Sequence, residues 1–164
     1  MVGTKRKNKA LNIAMAALIA VIVVAGVLFA LNMRGAFDTA QDTAYVASDK
    51  SGNANIQRDG ISYRLDEGTV LQVDDNVETL SGSTVTLQGD GHGSVALDES
   101  TVLDARNDCL EFESGSAFCQ AATDQGLSLK TAPAQVSSAD GVFVLEAGTG
   151  TTSIYVLAGT VTAQ

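Results

Sequence analysis

Gly82–Leu103 reads GSTVTLQGDGHGSVALDESTVL. Within it Thr84-Val85-Thr86-Leu87, Ser94-Val95-Ala96-Leu97 and Thr101-Val102-Leu103 alternate apolar and polar residues with the period of a half-buried strand. The breaks between them, Gly89–Gly93 and Asp98–Ser100, read GDGHG and DES and are dominated by Gly, Asp and Ser, residues that form turns. The same rhythm continues in both directions, upstream at Thr69–Val73 and downstream at Leu127–Leu129, Val142–Leu145 and Ile154–Leu157. One phrase recurs, a glycine followed by Ser or Thr and an aliphatic residue, as in Gly68-Thr69-Val70, Gly93-Ser94-Val95 and Gly159-Thr160-Val161. Short strands at this spacing belong to a sandwich, a barrel or a solenoid. The expected fold is therefore all-β, a short β-solenoid or a two-sheet sandwich over residues 61–164, with room for one core of about a hundred residues.

Upstream the chain changes character. Ile13–Leu31, IAMAALIAVIVVAGVLFAL, holds nineteen residues without a charge. At about 1.5 Å per residue a helix of this length spans roughly 28 Å, near the thickness of bilayer hydrocarbon. One N-terminal transmembrane α-helix over residues 10–32 is expected, because the run is longer than the apolar core of a cleaved signal peptide. Lys5, Arg6, Lys7 and Lys9 precede it, and by the positive-inside rule they keep a tip of residues 1–9 in the cytoplasm and send the C-terminus out.

All nineteen acidic residues lie beyond Arg34, where only Lys50, Arg58, Arg64, Arg106 and Lys130 are basic. The outer part thus carries a surplus of fourteen negative charges and repels phosphate backbones, so nucleic-acid binding is excluded from the expectation. Residues 33–60, poor in large apolar side chains, read as a flexible stalk. Ala36–Ala47 has near-helical spacing, and Ser48–Asn55, SDKSGNAN, reads as turn or coil.

The order GTVLQVDDNVETLSGSTVTLQ, SVALDESTVLDA, LEFESGSAFCQA, SLKTAPAQVSSADGVFVLEA and SIYVLAGTVTA resembles the FecR domain, over about Leu71 to Ala163. The resemblance is a pattern of glycines and apolar positions. It departs at Gly141-Val142-Phe143, where the family commonly places Gly-Thr before the aromatic residue. It implies an extracytoplasmic module that senses or binds a partner. The family's cytoplasmic sigma-factor control is not expected to carry over, since Met1–Lys9 is too short to fold as a regulatory domain.

Cys109 and Cys119 bracket CLEFESGSAFC. A hairpin turn centred on Ser114 sets Cys109 opposite Cys119 and Leu110 opposite Phe118, with Leu110, Phe112 and Phe118 sharing a face. A cross-strand disulfide is expected outside the reducing cytoplasm. His92 is the sole histidine, and with Asp90 it supplies too few ligands for a metal, so an exposed turn is expected. Asp66-Glu67, Asp74-Asp75 and Asp98-Glu99 match no calcium loop and read as turn acids. No nucleophile elbow or phosphate loop is present, and neither an enzyme nor a cofactor is expected. The expected function is an envelope module that binds a membrane or envelope protein. The alternative is a structural subunit of the cell envelope that self-associates, as a homo-oligomer, through its β-domain.

Overall fold

The computed structural model describes residues 42–164. The expected cytoplasmic tip, the transmembrane helix and the first part of the stalk lie outside the described residues. Fourteen strands make up the described part. The first seven are β1 (Asp42–Ser51), β2 (Ala54–Arg58), β3 (Ile61–Arg64), β4 (Val70–Gln72), β5 (Asn76–Thr79), β6 (Thr84–Gly89) and β7 (Gly93–Leu97). There follow β8 (Val102–Ala105), β9 (Leu110–Ala121), β10 (Leu127–Thr131), β11 (Gln135–Ser138), β12 (Val142–Gly148), β13 (Thr151–Ala158) and β14 (Thr162–Ala163). The all-β expectation is met, in the form of a curled sheet that is antiparallel except where β10 runs parallel to β9.

Alternation produces the core. Val85 and Leu87 on β6, Val95 and Leu97 on β7, and Phe143 and Leu145 on β12 point inward, while the residues between them face out or lie half-buried. Leu103, Leu110, Phe112, Leu127, Leu129 and Val136 join the same cluster from β8 to β11. Each such side chain contributes about 1.5–3 kcal/mol when removed from water.

β9 joins the two halves of the sheet. Its first half, from Leu110, pairs with β8 and β10; its second half, from Gly115, pairs with β7 and β12. Between the halves the inward face changes parity. Leu110 and Phe112 are buried, then Ala117 and Cys119, so one extra residue has been spent in crossing. Gly115 makes the crossing with φ of 108°, and a Cβ there would collide with Thr101. The Thr101 hydroxyl holds the neighbouring residue from both sides, donating to Ser116 O at 3.0 Å and accepting from Ser116 N at 3.1 Å.

Two expectations are corrected here. Residues 42–58, read as stalk, form β1 and β2, and the helix expected to reach Ala47 gives way to strand from Asp42. Tyr45, Ala47, Ala54 and Ile56 are buried, and β1 pairs with β6 and β4 while β2 pairs with β3 and β5. Two of these four inward positions are alanine, so the segment contributes to the core with few large apolar residues. Within Ser48–Asn55 only Gly52 and Asn53 lie outside a strand, and Gly52 takes φ of 76°.

Candidate functional site

Among the described residues four strands have a neighbour on one side only: β3, β4, β13 and β14. Three are short, at four, three and two residues, and β3 carries Arg64. β13 runs for eight residues, TTSIYVLA, with no charge and no proline. Its one partner, β12, is held on its other side by β9. The register sets Phe118, Val144 and Tyr155 side by side across β9, β12 and β13 on the outward face. Phe118 is 43% exposed and Tyr155 53%. Beside them Val156 and Leu157 are exposed at 51% and 63%. On the inner side Phe143 lies opposite Val156 and is fully buried, Ile154 of β13 packs against the same core, and the strand is exposed from Tyr155 to Ala158.

A long, uncharged edge is what soluble proteins normally blunt with lysine, proline or a bulge; β13 has neither lysine nor proline, and its register with β12 is regular from Thr151 to Val156 and slips only at Leu157. Its backbone groups form a template for another strand, and its side chains form a contact surface with the outward row. Tyr155 Oη sits 3.4 Å from Glu146 Oε2, which ties the phenol to β12.

Electrostatics sharpens the contrast. Lys50 and Arg64 both hold Asp66, at 3.1 and 3.4 Å, and Arg58 grips the buried Asp75 through two bonds of 2.8 and 2.7 Å. Arg106 reaches Asp74, Asp104 and Glu111 at 2.6, 2.8 and 3.0 Å, and Lys130 reaches Glu111 at 2.8 Å. Each basic residue of the described part is therefore bound to a carboxylate. Lys130 and then Arg106 hold the Glu111 carboxyl below its ordinary range. The surface presents unpaired carboxylates and a charge-free edge.

The cysteines do not form the expected pair. Leu110–Ala121 continues as one strand where a hairpin turn was expected at Ser114, and both thiols are free. The parity change at Gly115 also separates Phe118, which faces out, from Leu110 and Phe112, which face in. Cys119 is fully buried, and burial pushes its thiol up to about 12. Cys109 is half-buried; burial, then the nearby Asp108, raises its thiol as well.

His92 lies in the turn between β6 and β7, as expected, but it is half-buried and not exposed. Tyr45 stacks on its ring at 5.8 Å between centroids, and Nδ1 donates to Gly126 O at 2.9 Å. The ring borders an open cleft of about 470 Å³ whose other polar walls include Asp108, Ser137, Asp140 and Thr160. Among the described residues no three His, Cys, Asp or Glu side chains gather as metal ligands.

The acidic pairs work as fasteners. Asp75 also accepts from Gln72 N at 2.6 Å, Glu99 accepts from Gly82 N and Ser81 Oγ, and Asp98 accepts from Ser116 Oγ at 3.3 Å. Sequence reasoning missed the Arg58–Asp75 clasp and the Arg106 hub, whose partners are distant in the chain. The β13 edge left a readable signal, eight residues without charge in an acidic chain. No protein-family model, curated protein or solved structure matches the chain.

Proposed function

We propose that this chain is a membrane-anchored extracytoplasmic interaction module, similar to the outer domain of FecR proteins, and that it engages a protein partner by strand addition along β13. The observation that carries the reading is the unpaired β13 edge, uncharged over Thr151–Ala158 and flanked by the exposed Phe118–Val144–Tyr155 row. Backbone pairing along such an edge supplies affinity, and the alternate side chains supply selectivity. The anchor rests on the charge-free run of Ile13–Leu31 and the basic residues before it, which place the N-terminus in the cytoplasm and the β-domain outside it. The role proposed is binding, without catalysis and without a cofactor. A two-layer sandwich is the architecture we favour for the curled sheet, because residues from both halves of β9 converge on one core.

Photo-crosslinking of the full chain in its membrane tests the reading. A benzophenone side chain at Val156 is expected to give a discrete protein adduct, and one at Thr84, exposed on β6, to give none. Equal labelling at both positions, or none at Val156, contradicts it.

A further inference from the structure

The outward face beside the β13 edge bears on the chemistry of the segment that joins it. We propose that the partner segment is basic and lays an arginine or lysine across Val144, its stem between the Phe118 and Tyr155 rings and its charged head at Glu146; this inference rests on the edge reading above.

Charge is distributed unevenly over the sheet. Arg58 on β2, Arg64 on β3, Arg106 between β8 and β9, and Lys130 on β10 all belong to the half that contains the first part of β9. In the other half, β6, β7, β12, β13 and the second part of β9 carry no lysine or arginine. Lys50 on β1 lies opposite the buried Val85, and its ammonium donates to Leu65 O at 2.8 Å and to Asp66 at 3.1 Å. The outward face of this half therefore has carboxylates and no cation among the described residues. One register row crosses it from Asp49 through Thr86, Ala96, Phe118 and Val144 to Tyr155. In the row beside it Glu146 lies between Ser116 and Ser153, and Asp98 accepts from Ser116 Oγ at 3.3 Å.

Exposed rings next to unneutralised carboxylates select a long cationic side chain. Val144, shorter than either ring, stands between Phe118 and Tyr155, which are two strand spacings or about 10 Å apart. Glu146 follows on the same face of β12, about 7 Å along the strand. The methylenes of arginine or lysine can cover that distance with the charge held at the far end. The cation then meets both the negative faces of the rings and the carboxylate, and a planar guanidinium suits the two together. Tyr155 Oη, 3.4 Å from Glu146 Oε2, keeps ring and carboxylate in one place. An acidic segment is repelled here, whereas the surplus of fourteen negative charges draws a basic one in from long range.

The Val156 benzophenone adduct, formed by the full chain in extracts of the cells that make it, reads this directly. Glu146→Gln keeps an acceptor for Tyr155 Oη and removes only the charge, and it is expected to cut the adduct yield about fivefold or more. Asp59→Asn removes the same charge from the β2–β3 turn, in the other half of the sheet, and should leave the yield unchanged. Continued resistance of Cys119 to maleimide shows that Glu146→Gln remains folded. In the parent, which needs no substitution, the yield should fall as salt is raised, because screening weakens a pair of opposite charges. The cross-linked partner segment should contain an arginine or lysine. A yield that survives Glu146→Gln, that falls equally in Asp59→Asn, or that is indifferent to salt overturns the basic segment and leaves the edge reading standing, as does a cross-linked segment without either residue. Absence of any Val156 adduct in the parent overturns both.

Discussion

Arg58 and Asp75 form the contact on which most depends at the level of single residues. The Asp75 carboxylate is 1% exposed and accepts from Arg58 twice and from the Gln72 amide. Removing the guanidinium leaves a buried carboxylate uncompensated, a loss of about 3 kcal/mol or more. Arg58→Ala is therefore expected to lower the urea midpoint strongly, whereas Arg64→Ala, whose pair with Asp66 is exposed, should cost at most about 1 kcal/mol. Gly115→Ala is expected to destabilise by about 2 kcal/mol, because φ of 108° and the approach to Thr101 both exclude a side chain. The thiols make a third prediction. Cys119, buried and raised to about 12, should resist iodoacetamide at pH 8 in the folded chain, Cys109 should react slowly, and both should react in denaturant. A folded thiol above its ordinary value stabilises the fold fully below that value and loses the contribution as pH rises toward the folded one. Stability should accordingly fall from about pH 9 toward about 12, with Tyr45 adding to the loss, since its phenol is raised chiefly by burial. Little of this residue chemistry is legible in sequence. Asp74-Asp75 reads correctly as a turn, but which of the two carries the buried charge depends on Arg58, seventeen residues away, and on the fold that brings it there.

Strands are the level at which the sequence is most informative and at which it misleads. The alternation in Thr84–Leu87, Ser94–Leu97 and Val142–Leu145 identifies β6, β7 and β12 with the correct inward residues, because each is a half-buried strand of constant parity. β9 breaks that condition. Its alternation slips by one residue at Gly115, and a glycine and two serines amid apolar residues resemble a turn when the crossing from one half of the sheet to the other is invisible. The supposed hairpin and its disulfide follow from that one slip. β1 is missed for a different reason: its inward residues include alanine, and its partners are strands far along the chain. The Asp59-Gly60 pair between β2 and β3, with φ of 52° and 75°, is a two-residue hairpin turn of the kind that Asp-Gly signals in sequence. At this scale the edge is also testable by what blunts it. Tyr155→Lys or Val156→Lys should leave the unfolding midpoint within about 1 kcal/mol of the parent, since both positions are half-exposed, while abolishing the Val156-dependent contact.

The whole molecule combines an acidic body with one uncharged edge. Fourteen surplus negative charges keep copies apart at long range, and their repulsion is screened by salt over about 8 Å at physiological ionic strength. Amide hydrogen exchange of the full chain in extracts of the cells that make it, resolved along β13, tests the edge account most directly. In the parent, amides from Ser153 to Leu157 are expected to exchange at least roughly tenfold more slowly than in Val156→Lys, with β6 and β7 unchanged between the two. Equal exchange along β13 in both chains would show that nothing pairs with this edge.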